Sequence, residues 1–253
     1  MMGVLVAMPL ELPLVSVTDR AAKLNHQYHG NGAVSVLSHA LSDPMIGRIC
    51  LVSSFGAESV VLLHLISIMD PSLPILFIDS ELLFTETLTY QTKLAAAFGL
   101  TDIRVLRPKR EALFSRDPEN LLHLYEPDAC CDLRKVEPLA QGLAGFDGWI
   151  TGRKRYHGGQ RQALSSFEAV GDSRIKINPL AHWARQDLTD YIENNNLPRH
   201  PLVAKGFASI GCKPCTSRVD LGEDSRAGRW RKTEKTECGI HFAVNRVAHE
   251  VTQ

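Results

Sequence analysis

The sequence predicts an α/β protein with a doubly wound, mainly parallel sheet. Short apolar segments rich in β-branched residues recur along the chain, and helical segments separate them. Polar residues follow several of these segments, at the position where open α/β sheets bind ligands. Strands that are joined through helices run parallel, so we expect helices on both faces of the sheet.

The predicted elements follow in chain order. Residues 19–41 form two short helices that break at Gly30-Asn31-Gly32. Apolar, β-rich runs predict strands at 49–53, 74–79, 103–106, 149–151 and 175–177. Helical patterns lie between them, at 60–69, 84–98 and 187–194 among others. No repeat or low-complexity linker divides this body, so it is predicted to be one domain.

The composition limits the possible classes of function. The 253 residues carry no net charge, which argues against a chain-wide role in binding nucleic acid. No apolar run approaches the roughly 18 residues of a membrane span. The six cysteines suit a reducing cytoplasm better than a disulfide framework. The apolar start lacks a basic region and a cleavage site, so we expect it to be disordered or loosely docked.

Two polar segments at strand ends are candidate anion sites. The turn SSFGAES between the first strand and its helix could offer backbone N–H groups and a helix dipole to an anion, or could be a simple connection. The loop of residues 152–161 has four cations, which suits a phosphate or sulfate clamp or a solvated surface. At the second strand, Asp79 could bind a ligand or cap the next helix.

Four cysteines form a metal-ligand pattern. Cys130 and Cys131 are adjacent, and 80 residues separate them from a Cys212-Lys-Pro-Cys215 turn. Adjacent helical residues point about 100° apart, which is awkward for one tetrahedral zinc ion. In a [4Fe–4S] cluster each thiolate binds a different iron, so two adjacent cysteines can serve. We therefore favour one cluster per chain, with a zinc ribbon or a redox dithiol as alternatives.

The sixth cysteine lies near the C-terminus. Cys238 stands in Glu-Cys-Gly-Ile-His and follows Arg231, Lys232 and Lys235, with His241 three residues on. Such cations favour the thiolate, so Cys238 is predicted to be a nucleophile. The alternative is a surface thiol in a disordered tail.

Together these segments resemble the assimilatory adenylyl-sulfate and phosphoadenylyl-sulfate reductases. The resemblance runs from about residue 51 to residue 241 and includes SSFGAES, FIDSELLFTET, CC with GCKPCT, SRAGRW and ECGIH. It implies an adenine nucleotide α-hydrolase-like fold, related to the PP-loop ATP pyrophosphatases. It further implies a flexible start over 1–18, a nucleotide- and cluster-binding domain over 19–217 and a mobile tail over 218–253.

The resemblance also implies a reaction. Adenylyl sulfate would be reduced to sulfite and AMP through a thiosulfonate on Cys238, with thioredoxin or a glutaredoxin as electron donor, in sulfate assimilation and cysteine biosynthesis. In this family four cluster cysteines usually accompany adenylyl sulfate rather than its 3′-phosphorylated form, which stays the alternative substrate. The oligomeric state is left open, so a homo-oligomer is compatible with the sequence.

Residue roles follow from the same resemblance. It places the anion at Ser53, Ser54, Phe55 and Gly56, and the adenosine around 79–87, including Asp79, Glu86 and Thr87. It places Lys135 beside the cluster and implies that Arg226 and Arg229 hold the sulfate. The basic loop departs from the Arg-Arg-Asp/Glu-Gln-Ser of many relatives, although Arg155 and Arg161 keep cationic positions.

Two rival functions fit less of the sequence. A PP-loop ATP pyrophosphatase would share the fold, but it would have a fuller Ser-Gly-Gly-x-Asp-Ser loop and no need of ECGIH. A zinc-stabilised nucleic-acid-binding module would explain the CxxC turn and the basic tail. It leaves the adjacent Cys130 and Cys131 unexplained, and it lacks aromatic interleaving.

Overall fold

A mixed sheet forms the centre of the computed structural model, which describes residues 15–44, 46–231, 235 and 237–241. In this part of the chain the strands are β1 (Ile49–Ser53), β2 (Ile75–Ile78), β3 (Ile103–Leu106), β4 (Gly148–Ile150), β5 (Phe167–Val170) and β6 (Arg174–Ile177). Their order is β3-β2-β1-β4-β6-β5, and every neighbouring pair is parallel except β5 with β6. The predicted mainly parallel sheet is confirmed.

Helices cover both faces of the sheet. Those described are α1 (Val17–Gln27), α2 (Ala33–Ser42), α3 (Ser59–Met69), α4 (Thr85–Ala97), α5 (Arg110–Arg116), α6 (Leu122–Tyr125), α7 (Pro127–Cys131), α8 (Glu137–Gly142) and α9 (Arg185–Asn194). Successive strand residues point to opposite faces. Leu51 accordingly packs in the large core with α1 to α4 and α9, whereas Cys50 and Trp149 pack with Leu139 of α8.

Strand β5 is missing from the prediction. It is a four-residue edge strand that reaches β6 through a turn at Gly171, where φ is 58°. Asn25 of α1 contacts its outer edge: the side-chain amide donates to the carbonyl of Phe167 at 2.6 Å, and its oxygen accepts from the Phe167 N–H at 3.0 Å. Tertiary contacts with α1 therefore stabilise a strand too short to show a clear pattern.

A π-helical turn, Asp132–Val136, joins α7 to α8. Pro138 has no N–H for the carbonyl of Arg134, and its ring would crowd that carbonyl in a regular α-helix, which favours the wider turn. The Arg134 guanidinium is buried, bonds to Asp117 at 2.6 Å, and donates to the carbonyl of Ser80 at 3.0 Å. This network fixes the turn that carries Lys135.

The predicted domain boundaries stay a prediction, because parts of both chain termini lie outside the described residues. Residues 1–14 of the expected flexible start lie outside the described residues, and α1 already begins at Val17 with the Ser16 hydroxyl accepting from the N–H of Asp19. Of the expected mobile tail, 218–231, 235 and 237–241 are described. Within the described ranges, no helix has both the length and the apolar character needed to cross a bilayer.

Candidate active site

A deep cavity opens beyond the carboxyl ends of β1 and β4. The turn before α3, the loop after β4 and the C-terminal segment 237–241 enclose it. The cavity brings together residues that are far apart in sequence. The predicted site residues that line it are Ser53, Ser54, Gly56, Thr87, Lys135, Arg161, Arg226, Arg229, Cys238 and His241.

The cavity is strongly cationic. Among the described lining residues, two carboxylates, Glu58 and Glu237, face six lysines and arginines, namely Lys135, Arg153, Lys154, Arg161, Arg226 and Arg229. Walls of low dielectric strengthen the field of such a cluster. The cavity is therefore suited to a polyanionic ligand.

The turn after β1 is held by its own serines. The Ser53 hydroxyl accepts from the N–H of Phe55 at 3.2 Å, and the Ser59 hydroxyl accepts from the N–H of Gly56 at 3.0 Å. Phe55 has a φ of 47°, and its buried ring packs edge-on against Phe77. Phe55 thus shapes the turn from the core side, whereas Ser53 and Gly56 line the cavity.

Glu58 organises the loop after β4, a role that the sequence analysis missed. Its carboxylate lies 2.5 Å from Lys154 Nζ and 3.3 Å from His157 Nε2, and it accepts from the Tyr156 hydroxyl. Although burial opposes ionisation, the Lys154 ammonium holds the pKa of Glu58 well below its usual value. The sequence signal that could have indicated this role is the position of Glu58 inside the SSFGAES turn.

The basic loop presents a different set of cations from the one predicted. Arg155 does not line the cavity, and its Nε donates to the carbonyl of Leu164 at 2.7 Å. Arg153 does line it, with 6% of its surface exposed and Nη1 2.8 Å from Glu168. Arg153 is thus the first cation of the loop to line the cavity.

The three residues predicted around the adenosine have separate environments. Asp79 is buried and accepts from Arg107 Nε at 3.0 Å, and Glu86 pairs with Lys205 at 3.0 Å on the surface. Neither lines the cavity, whereas Thr87 does. The structure therefore brings only Thr87 of this group to the cavity wall.

Cys238 is buried beside two cations. Its Sγ lies 4.0 Å from Lys135 Nζ, and 7% of the residue is exposed. A hydrogen bond from the Cys131 thiol and the charges of Lys135 and Arg229 lower the pKa of Cys238 well below its usual value, although burial opposes this. The arrangement favours a thiolate inside the cavity.

The other cations predicted near Cys238 contribute unequally. Arg231 pairs with Glu223 at 2.6 Å, Lys235 pairs with Asp128, and Lys232 lies outside the described residues. His241 lines the cavity, and its catalytic role stays a prediction. Burial, with Lys176 and Arg161 nearby, lowers the pKa of His241 well below its usual value, so it is neutral at pH 7.

Arg229 approaches the cavity across the ring of Trp230. Its guanidinium carbon lies 4.3 Å from the ring centroid, and that of Arg226 lies 5.8 Å from it. Gly211 makes room for Arg229, because a Cβ there would lie 2.4 Å from Nη2. The stacking orients both predicted arginines toward the cavity.

The four cysteines of the predicted metal pattern come from two facing segments. Cys130 and Cys131 end α7, Cys212 directly precedes a 3₁₀ turn, and Cys215 is the last residue of that turn. Burial and the proximity of Cys212 raise the pKa of Cys130 to about 11. Ser80 Oγ lies 3.0 Å from Cys212 Sγ. No group of three or more potential ligands in the described ranges converges on a point suited to a single metal ion.

Comparison with known families fits this site. The family model for the phosphoadenosine phosphosulfate reductase domain matches residues 48–218. The chain belongs to this family. The matched range covers the sheet, the turn before α3, the basic loop and the four cysteines of the predicted metal pattern.

Phosphoadenosine phosphosulfate reductase family members resemble the chain over most of its length. A Mesorhizobium japonicum protein is 49% identical over 90% of this chain and 89% of its own, and one from Chelativorans sp. strain BNC1 is 51% identical over 78% and 80%. A Streptomyces coelicolor protein is 38% identical over 77% and 82%. All three are named adenosine 5′-phosphosulfate reductase.

Solved structures of this family and of related folds resemble the fold of the chain. Phosphoadenylyl-sulfate reductase from Candida auris, as a phosphate complex, has a TM-score of 0.67 and 26% identity over 85% of this chain and 99% of its own. Candida glabrata FMN adenylyltransferase has a TM-score of 0.53 and 16% identity over 87% and 84%. The second similarity concerns the fold alone.

Proposed function

We propose that the chain reduces adenylyl sulfate to sulfite and AMP, with Cys238 as the nucleophile. The observation that carries this proposal is the Cys238 thiol 4.0 Å from Lys135 in a cationic cavity. Relatives that are 38–51% identical are named adenosine 5′-phosphosulfate reductase, which supports the same substrate for this chain.

The first step forms a sulfur–sulfur bond. The Cys238 thiolate attacks the sulfuryl sulfur of adenylyl sulfate, the bond from that sulfur to the bridging oxygen breaks, and AMP leaves with the electron pair. The product on the protein is Cys238–S–SO₃⁻. Lys135 and Arg229, which line the cavity with Cys238, would offset the charge of the transferring group.

The second step needs an external dithiol, for which thioredoxin or a glutaredoxin is the proposed donor. One donor thiolate attacks Cys238 Sγ and releases sulfite, which leaves a mixed disulfide. The second donor thiol then displaces Cys238 as a thiolate. The sulfur atom of the substrate gains two electrons, and the donor dithiol is oxidised to a disulfide.

Cys130, Cys131, Cys212 and Cys215 would hold a [4Fe–4S] cluster. Such a cluster would not need the four thiols to converge on one point, because each thiolate would bind a different iron. When bound, the cluster would contribute charge and rigidity beside Lys135 rather than carry the electrons. Ser80 and Arg134 connect the two cysteine segments in the structure.

The 3′-phosphorylated compound is the second candidate substrate. The family model and the Candida auris structure both carry that substrate in their names. Purified enzyme with a reduced dithiol donor should release sulfite from adenylyl sulfate with the higher kcat/KM. A preference for the 3′-phosphorylated form would reassign the substrate.

A covalent-adduct experiment tests the mechanism directly. With substrate and no donor, mass spectrometry should show one added SO₃ on the peptide of residues 236–246, and the Cys238→Ser variant should show none. Cys238→Ser should also lose sulfite release while it still binds nucleotide. Turnover by this variant would refute the assignment of the nucleophile.

A further inference from the structure

Glu237, the residue before the nucleophile, is bound by the basic loop. Arg161 donates from Nε to Glu237 Oε2 at 2.5 Å and from Nη2 to Oε1 at 2.7 Å. The two side chains are 9% and 8% exposed. This is a bidentate arginine–carboxylate pair, which combines charge with a fixed orientation.

The same carboxylate orients Cys238. The N–H of Cys238 donates to Glu237 Oε1 at 3.1 Å, and Arg226 Nη2 lies 3.5 Å from that oxygen. From the body of the protein, Lys176 also donates to the His241 carbonyl at 3.3 Å. The fork between Arg161 and Glu237 is the described contact that joins the segment to the body through two charge-assisted hydrogen bonds.

Each of the three side-chain nitrogens of Arg161 contacts another group of the protein. Besides Glu237, its Nη1 lies 3.0 Å from His157 Nδ1, and His157 Nε2 lies 3.3 Å from Glu58. By contrast, the Nε of Arg153 is buried at the cavity with no partner among the described residues. In this arrangement Arg153 offers a ligand a buried N–H that has no partner among the described residues, whereas every side-chain nitrogen of Arg161 already has a partner.

We propose that Arg161 and Glu237 form a latch that holds Cys238 in the cavity, with Arg161 as a positioning residue. This inference rests on the proposed function, because an external dithiol must reach a Cys238 sulfur that is buried here. Any movement that exposes this sulfur to a protein donor has to separate the carboxylate from the fork. The strength of the latch therefore sets how often Cys238 becomes accessible.

Alkylation of Cys238 tests the latch without turnover. The full-length protein, without nucleotide, is treated anaerobically with iodoacetamide, and labelling of the 236–246 peptide is followed by mass spectrometry. Glu237→Gln and Arg161→Gln should each speed labelling by about tenfold, since labelling follows the open population. The double variant should label no faster than the faster single variant, because the two single variants and the double variant all lack the Arg161–Glu237 pair.

Two internal controls make the result decisive. Glu223→Gln breaks an exposed carboxylate–arginine pair in the same C-terminal region and should leave the labelling rate unchanged. Cys50 is fully buried in β1, so its labelling reports global unfolding. If both Cys50 and Cys238 are labelled in Glu237→Gln, that variant has lost its fold. The Arg161→Lys variant then tests the latch, because lysine keeps the positive charge but cannot make the bidentate pair.

In Arg161→Lys, labelling of Cys238 but not Cys50 at a rate between those of the wild type and Arg161→Gln supports the latch. Labelling of Cys238 at the wild-type rate overturns it. Wild-type labelling in both glutamine variants also overturns it. With limiting donor, Glu237→Gln should raise kcat/KM for the donor and lower it for adenylyl sulfate. If the wild-type protein releases no sulfite from adenylyl sulfate, the proposed function is refuted. The labelling rates do not depend on turnover, so they would still test the latch.

Discussion

Lys135 Nζ lies 4.0 Å from Cys238 Sγ, although the two residues are 103 positions apart in the chain. Lys135 comes from the π-helical turn between α7 and α8, and Cys238 comes from the segment that closes the cavity. A substrate sulfur attacked by Cys238 would have its oxygens next to the lysine ammonium. The turn that follows the predicted cluster cysteines is therefore also the one that brings a charge to the reacting group.

Removing the Lys135 charge should impair the chemical step. Lys135→Met is expected to lower kcat by about 100-fold or more, as the loss of one preorganised donor does in other active sites. Lys135→Arg keeps the charge with a different shape and should lose less. Sulfite release at saturating donor measures both, and a kcat for Lys135→Met within about twofold of wild type would contradict the role given to this charge.

Removal of one cluster ligand should remove the iron. Cys212→Ala is expected to lose the visible absorbance and the roughly four irons per chain that a [4Fe–4S] cluster would give. Cys50→Ala is the matched control. Cys50 is buried in the core, and burial raises its pKa to about 12, so it is expected to be an inert thiol that binds no iron. Full iron content in Cys212→Ala, measured by a colorimetric assay, would rule out this ligand set.

Much of the fold could be predicted because it depends on local patterns. The apolar runs at β1, β2, β3, β4 and β6 each show the β-branched or aromatic composition of strands, and helices that join successive strands favour parallel pairing. The four-residue β5 could not be found in this way. Its stability comes from α1, including the Asn25 side chain that bonds to Phe167, and no local pattern reports such a contact.

The site was predictable in its residue types and less so in its pairings. Cys238, Lys135 and the tail arginines lie in segments whose motifs were recognisable, and the structure brings them to one cavity. The pairing of Arg161 with Glu237 spans 76 positions. From the sequence Arg161 is predicted to bind substrate, and its partner Glu237 was not identified, because a charge pattern shows that a cation is present but not which anion pairs with it.

Breaking the Glu58–Lys154 pair should destabilise the protein. The Lys154 side chain is 4% exposed, so Glu58→Gln leaves a buried charge without its counterion and should cost about 3–5 kcal/mol of unfolding free energy. The double variant Glu58→Gln with Lys154→Met should recover part of this loss. Urea denaturation measures each change.

The exposed Asp102–Arg104 pair is the matched control for that experiment. The Asp102 and Arg104 side chains are 34% and 49% exposed. Arg104 Nη2 lies 2.7 Å from Asp102 Oδ2. Asp102→Asn should cost less than about 1 kcal/mol, because water screens such a pair. A Glu58→Gln loss no larger than this would show that the buried pair does not stabilise the loop.

His200 should make stability depend on pH. It is 1% exposed, and its Nδ1 accepts from the N–H of Leu202 at 3.2 Å, so the proton is on Nε2, which lies 3.1 Å from Thr87 Oγ1. Burial lowers the pKa of His200 from 6.5 to about 4. The unfolded chain therefore binds a proton between these pH values that the folded protein excludes.

The sign of the effect follows from that difference in proton binding. The His200 contribution is complete above about pH 6.5, decreases as the pH falls, and levels off below about pH 4. Between pH 7 and pH 5 the wild type should lose about 2 kcal/mol from this residue alone. His200→Gln cannot titrate, so its deficit relative to wild type should shrink by that amount at pH 5. Urea titrations of both proteins at the two pH values measure the gap, and a deficit that stays constant would show that His200 protonates equally in the folded and unfolded states.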